Sequence, residues 1–168
     1  MQKSSQDVVI VNATRTAIGK FNGMWGNKAA HDLGKIVIAD ILKQTSIKPD
    51  EIDEVILGQV LTSNVGQNPA RQATIGAKIP HDKISYIVNQ VCGSGIRSVA
   101  SGFQSIKAGD NKIVISGGQE SMSLAPHAIF LREGKKLGDA EIIDTMIKDG
   151  LWDAFHGYHM GDHCRKCC

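Results

Sequence analysis

The sequence predicts an α/β protein with a mostly parallel sheet. Short β-branched runs alternate with segments of helical apolar spacing, and capping or stopping residues separate the two. The strand-like runs are continuous rather than alternating in polarity, the pattern of strands covered on both faces. Val8 to Val11 opens the series as such a strand, and the Gly-rich stretch from Asn12 to Asn27 reads as a long loop. Leu33, Ile36, Val37, Ile41 and Leu42 keep helical spacing across Ala29 to Gln44. A second strand follows at Glu54 to Leu61. Asn68 then Pro69 marks a helix start, a capping side chain followed by proline at the first helical position, and Pro80 ends that region.

Ile84 to Val88 is the third strand, and it runs into the turn around Cys92. The next helix carries Ile96, Val99, Ala100, Phe103 and Ile106 on one face and ends at Gly109; Lys112 to Ser116 is the fourth strand, closed by Gly117 and Gly118. From Ser121 to Gly161 the strand-helix rhythm stops, apart from one helix expected around Glu141 to Lys148, and the stretch reads as the start of a lid or insertion.

At 168 residues the chain is long enough for one domain with a real core. Scattered basic residues, a net charge of +2 and 5% aromatics argue against nucleic-acid binding. The N-terminal apolar run is too short for a signal peptide and no stretch reaches membrane-spanning length, so the expected location is cytoplasmic, away from membranes. One cysteine, Cys92, stands in the body and three crowd the end, which is no disulfide framework.

Cys92 lies between a strand and a helix, where outward backbone N–H groups and the helix dipole favour an anion. The thiolate is the nucleophilic form of cysteine, so this placement makes Cys92 the candidate nucleophile, against the commoner reading of an inert buried thiol. A helix terminus offers an anion only about 0.3–2 kcal/mol, so a catalytic thiol here also wants a base. His127, His156, His159 and His163 are candidates, and spacing does not choose among them; His31 lies far from the turn in sequence, and His81 precedes the third strand at its far end. Gly93 and Gly95 flank Ser94. They suit either close approach of a ligand to the Cys92 N–H or close packing of helix on sheet.

The runs VNQVCGSGIRSVASGFQSIKAGD and GGQESMSLAPH, with NATRTAIGKFNG before them and DTMIKDGLWDAFHGYHMG after, strongly resemble the thiolases of the acetyl-CoA acetyltransferase branch over residues 7 to 161. The resemblance implies the N-terminal half-domain of a thiolase fold (a βαβαβαβ sheet with covering helices, residues 1–120) and the beginning of the CoA-binding loop domain (121–161). It implies that Cys92 takes the acyl group from acyl-CoA, for Claisen condensation or for thiolysis of a 3-ketoacyl-CoA. It also implies that the Cys92 N–H is half of an oxyanion hole, and that Leu151, His159 and Met160 line the acyl and pantetheine pocket. No metal or prosthetic group is implied, with acetyl-CoA and CoA as substrates, and family members are homo-oligomers.

Thiolases are more than twice this long, and their activating histidine, second catalytic cysteine and oxyanion-hole asparagine lie in a half not represented here. The alternative to an enzyme is therefore a non-enzymatic truncated product. Residues 162–168 depart from the family. Back-translated and shifted by one base, they permit the family's Ile-Thr-Ala-Glu-Asn-Val-Ala at every position, so a frameshift near Gly161 is the expectation. The competing reading is a zinc site on His159, His163, Cys164, Cys167 and Cys168, which crowds five potential ligands at a chain end and needs more assumptions.

Overall fold

A computed structural model describes residues 7–162. Helix α1 (Ala30–Thr45) leads through a 3₁₀ turn to strand β1 (Glu54–Gly58), followed by α2 (Pro69–Gly76), β2 (Ile84–Val88), α3 (Ser94–Ala108) and β3 (Val114–Gly118). The sheet is all parallel, in the order β2-β1-β3. Strand β1 is central and buried along its whole length, as its unbroken apolar character requires.

The two faces of β1 are filled differently. Val55 and Leu57, with Ile115 of β3, join Ile38 of α1, Ala70 and Ala73 of α2 and Ala77 just after it in the main core. Full burial of a side chain such as Ile38, Ile52 or Ile56 stabilises the fold by about 1.5–3 kcal/mol each. On the other face α3 comes down on small residues: Ser94, Ser98 and Gly102 are its buried positions. Ser98 Oγ donates to Gly117 O at 2.6 Å, and a side chain at Gly58 would run into the Ser94–Gly95 backbone.

The helix starts and stops match the expected signals. Asn68 Oδ1 accepts from Arg71 N at 3.1 Å with Pro69 at the first position, and Gly109 ends α3 at φ 88°.

Four expectations are corrected. Val8 to Val11 is not a buried strand: it has no ladder partner, and Val9, Ile10 and Val11 are 70%, 80% and 69% exposed. The outer edge of β3 stays unpaired, and the segment is tied instead to α1 by Asn12 Nδ2 donating to Gln44 Oε1 (3.0 Å) and Thr14 Oγ1 to Asp40 Oδ2 (3.0 Å). Among the described residues the sheet accordingly has three strands, not four. A cavity of about 800 Å³ separates this segment from α1, α3 and β3.

The second strand stops at Gly58, short of Leu61, and the last strand of the sheet runs two residues further than expected, so that Gly117 and Gly118 lie inside it. The apolar stripe expected on α3 is present and largely uncovered: Ile96 is 73% exposed, while Val99, Phe103 and Ile106 line that cavity, and the small-residue face is the one that approaches the sheet.

Around Glu141 to Lys148 there is no α-helix. Ile143–Asp144 (β5) pairs antiparallel with His127–Ala128 (β4), and a π-helical turn spans Met146–Leu151. Asp144 Oδ1 accepts from Met146 N at 2.9 Å, fixing the start of that turn.

Many large apolar side chains remain exposed, among them Val9, Ile18, Phe103, Phe130, Leu137 and Phe155. Surfaces of this kind drive association. The purified chain is expected to bind an apolar dye and to form aggregates that grow with concentration by light scattering; a chain that stays monodisperse at every concentration and binds no dye would contradict this.

At the opposite end of the sheet from Cys92, Asp53 clamps the entry of β3 to β1. Its Oδ2 accepts from Lys112 N (2.7 Å) and Ile113 N (2.9 Å), while its own N–H donates to Ile113 O (3.0 Å). The N–H groups of Ile113 and Lys112 hold its carboxyl below the ordinary value. The native value is the lower one, so the clamp's stabilisation is complete above the unfolded carboxyl pKa and is lost as pH falls through the depressed native value. Asp53→Ala is expected to cost about 1 kcal/mol at neutral pH, and the gap between the two urea midpoints should close in acid. A gap independent of pH would contradict the clamp.

Candidate active site

Strand β2 delivers the chain into a tight turn, Asn89 to Gly93, which ends at the first residue of α3. Asn89 Oδ1 accepts from Val91 N at 2.9 Å. Gly93 N donates to Gln90 O and Ser94 N to Val91 O, both at 3.0 Å. Ser94 is buried and closes the turn, its Oγ accepting from Gln90 N (2.9 Å) and donating to Val91 O (2.6 Å). Val91 has φ 49°. A β-branched residue in the left-handed region costs of order 1–3 kcal/mol and persists only where the surroundings impose it. The Ser94 bonds supply that restraint on the residue directly before Cys92.

Cys92 is exposed and not in a disulfide. Neither its sulfur nor its N–H has a hydrogen-bond partner among the described residues. Gly93, the N-cap of α3, offers no side-chain cap, and the Gly93 and Ser94 N–H groups are spent inside the turn. A side chain at Gly95 would meet open space and one at Gly93 would come 3.3 Å from Gln90 O, so neither glycine is itself demanded by helix-on-sheet packing; that close approach is set at Gly58.

The candidate pocket residues come together on one hairpin-like loop. Leu151 ends the π-helical turn, His159 bridges Trp152 across the loop, and Met160 starts a final helical turn. Asp153 organises the loop. Its N–H donates to Tyr158 O (2.8 Å), and its Oδ1 accepts from Phe155 N (2.8 Å) and His156 N (2.9 Å). Those N–H groups, His156 first, hold its carboxyl below the ordinary value.

None of the candidate bases described is hydrogen-bonded to Cys92. His127 lies 3.9 Å from Asp144 and His156 3.0 Å from Asp153, while His159 Nδ1 accepts from Gly161 N at 3.0 Å. His163, Cys164, Cys167 and Cys168, and with them the zinc reading and most of the frameshift reading, lie outside the described residues. Among the described residues no cluster of three His, Cys, Asp or Glu side chains is arranged to hold a metal ion, and no helix is long and apolar enough to cross a membrane.

Sequence reasoning missed a polar group at the sheet end that carries the site. Gln119 Nε2 donates to Gln59 Oε1 (2.8 Å), and Gln59 Nε2 to Leu61 O (2.8 Å). Glu120 accepts from Val60 N and Leu61 N. The available signal was polar residues placed directly after apolar strand runs, where buried backbone groups need partners.

The protein-family model described as "Thiolase, N-terminal domain" matches residues 8–168. This chain belongs to the thiolase family. Among its relatives, the acetyl-CoA acetyltransferase of Rhizobium meliloti is 55% identical over 158 residues, covering 94% of this chain and 40% of the relative. That of Paracoccus denitrificans is 55% identical over 153 residues, 91% of this chain and 39% of the relative. The protein named "Acetyl-CoA acetyltransferase, cytosolic" of Rattus norvegicus is 48% identical over 161 residues, 96% and 41%. The chain thus spans about 40% of the length of these thiolase relatives.

Proposed function

We propose that this chain is the nucleophile-bearing part of an acetyl-CoA C-acetyltransferase, with Cys92 as the acyl acceptor. The observation that carries the reading is the exposed, unpartnered Cys92 thiol at the open end of α3, on a strained turn locked by Ser94. Cys92 sulfur attacks the thioester carbonyl carbon of acyl-CoA. A new C–S bond forms, the bond to the CoA sulfur breaks, and CoA leaves as the thiol. A second acetyl-CoA then loses an α-proton, its carbanion attacks the acyl carbon, and the Cys92 sulfur departs; thiolysis is the reverse.

The free Cys92 N–H supplies one oxyanion donor. Leu151, His159 and Met160, joined on the 151–160 loop, line the acyl and pantetheine pocket. Residues 1–120 form the core unit and 121–161 begin the CoA-binding unit. The proton chemistry requires a base; none of the described histidines is bonded to Cys92, and by family resemblance the base lies in the length of the relatives that this chain does not span. No metal or prosthetic group takes part, and the chain works in the cytoplasm as part of a homo-oligomer.

The test is a chimaera of residues 1–161 with the remainder of the Rhizobium meliloti relative, assayed for thiolysis of acetoacetyl-CoA. Turnover supports the reading; a folded chimaera without turnover counts against it.

A further inference from the structure

We infer that Glu120 is a positioning residue: its carboxylate holds the Val60–Leu61 exit of β1 and, through the Leu61 side chain, the turn that carries Leu151. After Gly58 the chain leaves the ladder, so Val60 and Leu61 have no strand neighbour to satisfy their backbone groups. Glu120, arriving from β3 two residues past Gly118, supplies both acceptors: Oε2 to Val60 N at 2.8 Å and Oε1 to Leu61 N at 3.3 Å. The Leu61 carbonyl is held in turn by Gln59 Nε2, and Gln59 is held by Gln119. Both backbone groups of Leu61 are therefore fixed by side chains rather than by a sheet.

Leu61 is buried, and its Cδ2 packs against Gly150, the residue before Leu151; a methyl group on Gly150 would lie 3.3 Å from it. The brace thus runs from the Cys92 end of the sheet to the base of the pocket loop. Burial pushes the Glu120 carboxyl up from its ordinary value, and the N–H groups of Val60, Leu61 and Ser121 oppose that rise. A half-buried carboxylate with backbone partners is a costly arrangement to keep unless its geometry is used.

The relevance to acyl-CoA rests on Leu151 belonging to the pocket; the brace itself can be read whether or not that assignment stands. The experiment is residue-resolved hydrogen exchange on the 168-residue chain carrying Glu120→Gln, Glu120→Asp or Leu61→Ala. Glu120→Gln puts an NH₂ group where an acceptor is needed. It should speed exchange roughly tenfold or more at Val60 and Leu61 and across Met146–Leu151, while Val55 to Leu57 stay protected. Glu120→Asp, which keeps the charge, should recover part of the protection. Leu61→Ala should release Met146–Leu151 by a similar factor with Val60 unchanged, and it decides the second link even if Glu120→Gln does not fold. Uniform loss of protection through β1 and β3, or no change at Met146–Leu151 in Leu61→Ala, would overturn the inference.

Discussion

The 168-residue chain on its own is expected to show no measurable condensation or thiolysis. Cys92 is accessible, but no described histidine is bonded to it, and the described residues supply one free oxyanion donor at the turn. A missing acid-base group costs about 10²–10⁴ in rate and each missing oxyanion donor about 10²–10³. These losses do not combine in simple proportion, so the deficit is at least that of one missing group, about 10²–10⁴-fold. Acetoacetyl-CoA cleavage in the presence of CoA, followed beside the Rhizobium meliloti relative at equal enzyme concentration, reads this directly. A rate within about 100-fold of that relative would mean that a base on this chain reaches Cys92.

The second large effect belongs to the chimaera with that relative. There Cys92→Ser should lower kcat/KM at least about 10³-fold, because a hydroxyl is a far weaker nucleophile than a thiolate and the intermediate becomes an ester rather than a thioester. Melting temperature should hardly change, since Cys92 is exposed and makes no bond that the serine would lose. Activity that survives the substitution would refute the assigned role. A large loss of stability would show that the thiol is structural after all.

Much of this architecture was legible in the chain because its signals are local. Asn68-Pro69 starts α2 and Gly109 stops α3, each by conformational preferences that need no tertiary partner. What failed was non-local. Val8 to Val11 has the composition of a buried parallel strand, but composition does not say whether the segment will pair with an open sheet edge. The spacing of the Ile96–Phe103 stripe did show in the sequence, and the small size of Ser94, Ser98 and Gly102 decides which helix face reaches Gly58 and Gly117. Around Asp144, helical spacing lost to a short ladder with His127–Ala128 and to a carboxylate that caps a π turn.

The site divides the same way. Cys92 stood out through its neighbours in sequence, and Leu151, His159 and Met160, the proposed pocket residues, through family likeness. The left-handed Val91, the Ser94 clamp and the Gln59–Gln119–Glu120 group did not, because each joins residues from different strands or depends on a backbone angle that no residue type announces.

The most direct test of Cys92 as acyl acceptor is to mix the chimaera with acetyl-CoA, quench in acid and map the peptides by mass spectrometry. The account predicts one acetyl group, on the peptide containing Cys92, removed when CoA is added before the quench and absent in Cys92→Ser. Acetyl on another residue, or turnover with no acyl-enzyme on Cys92, would contradict it.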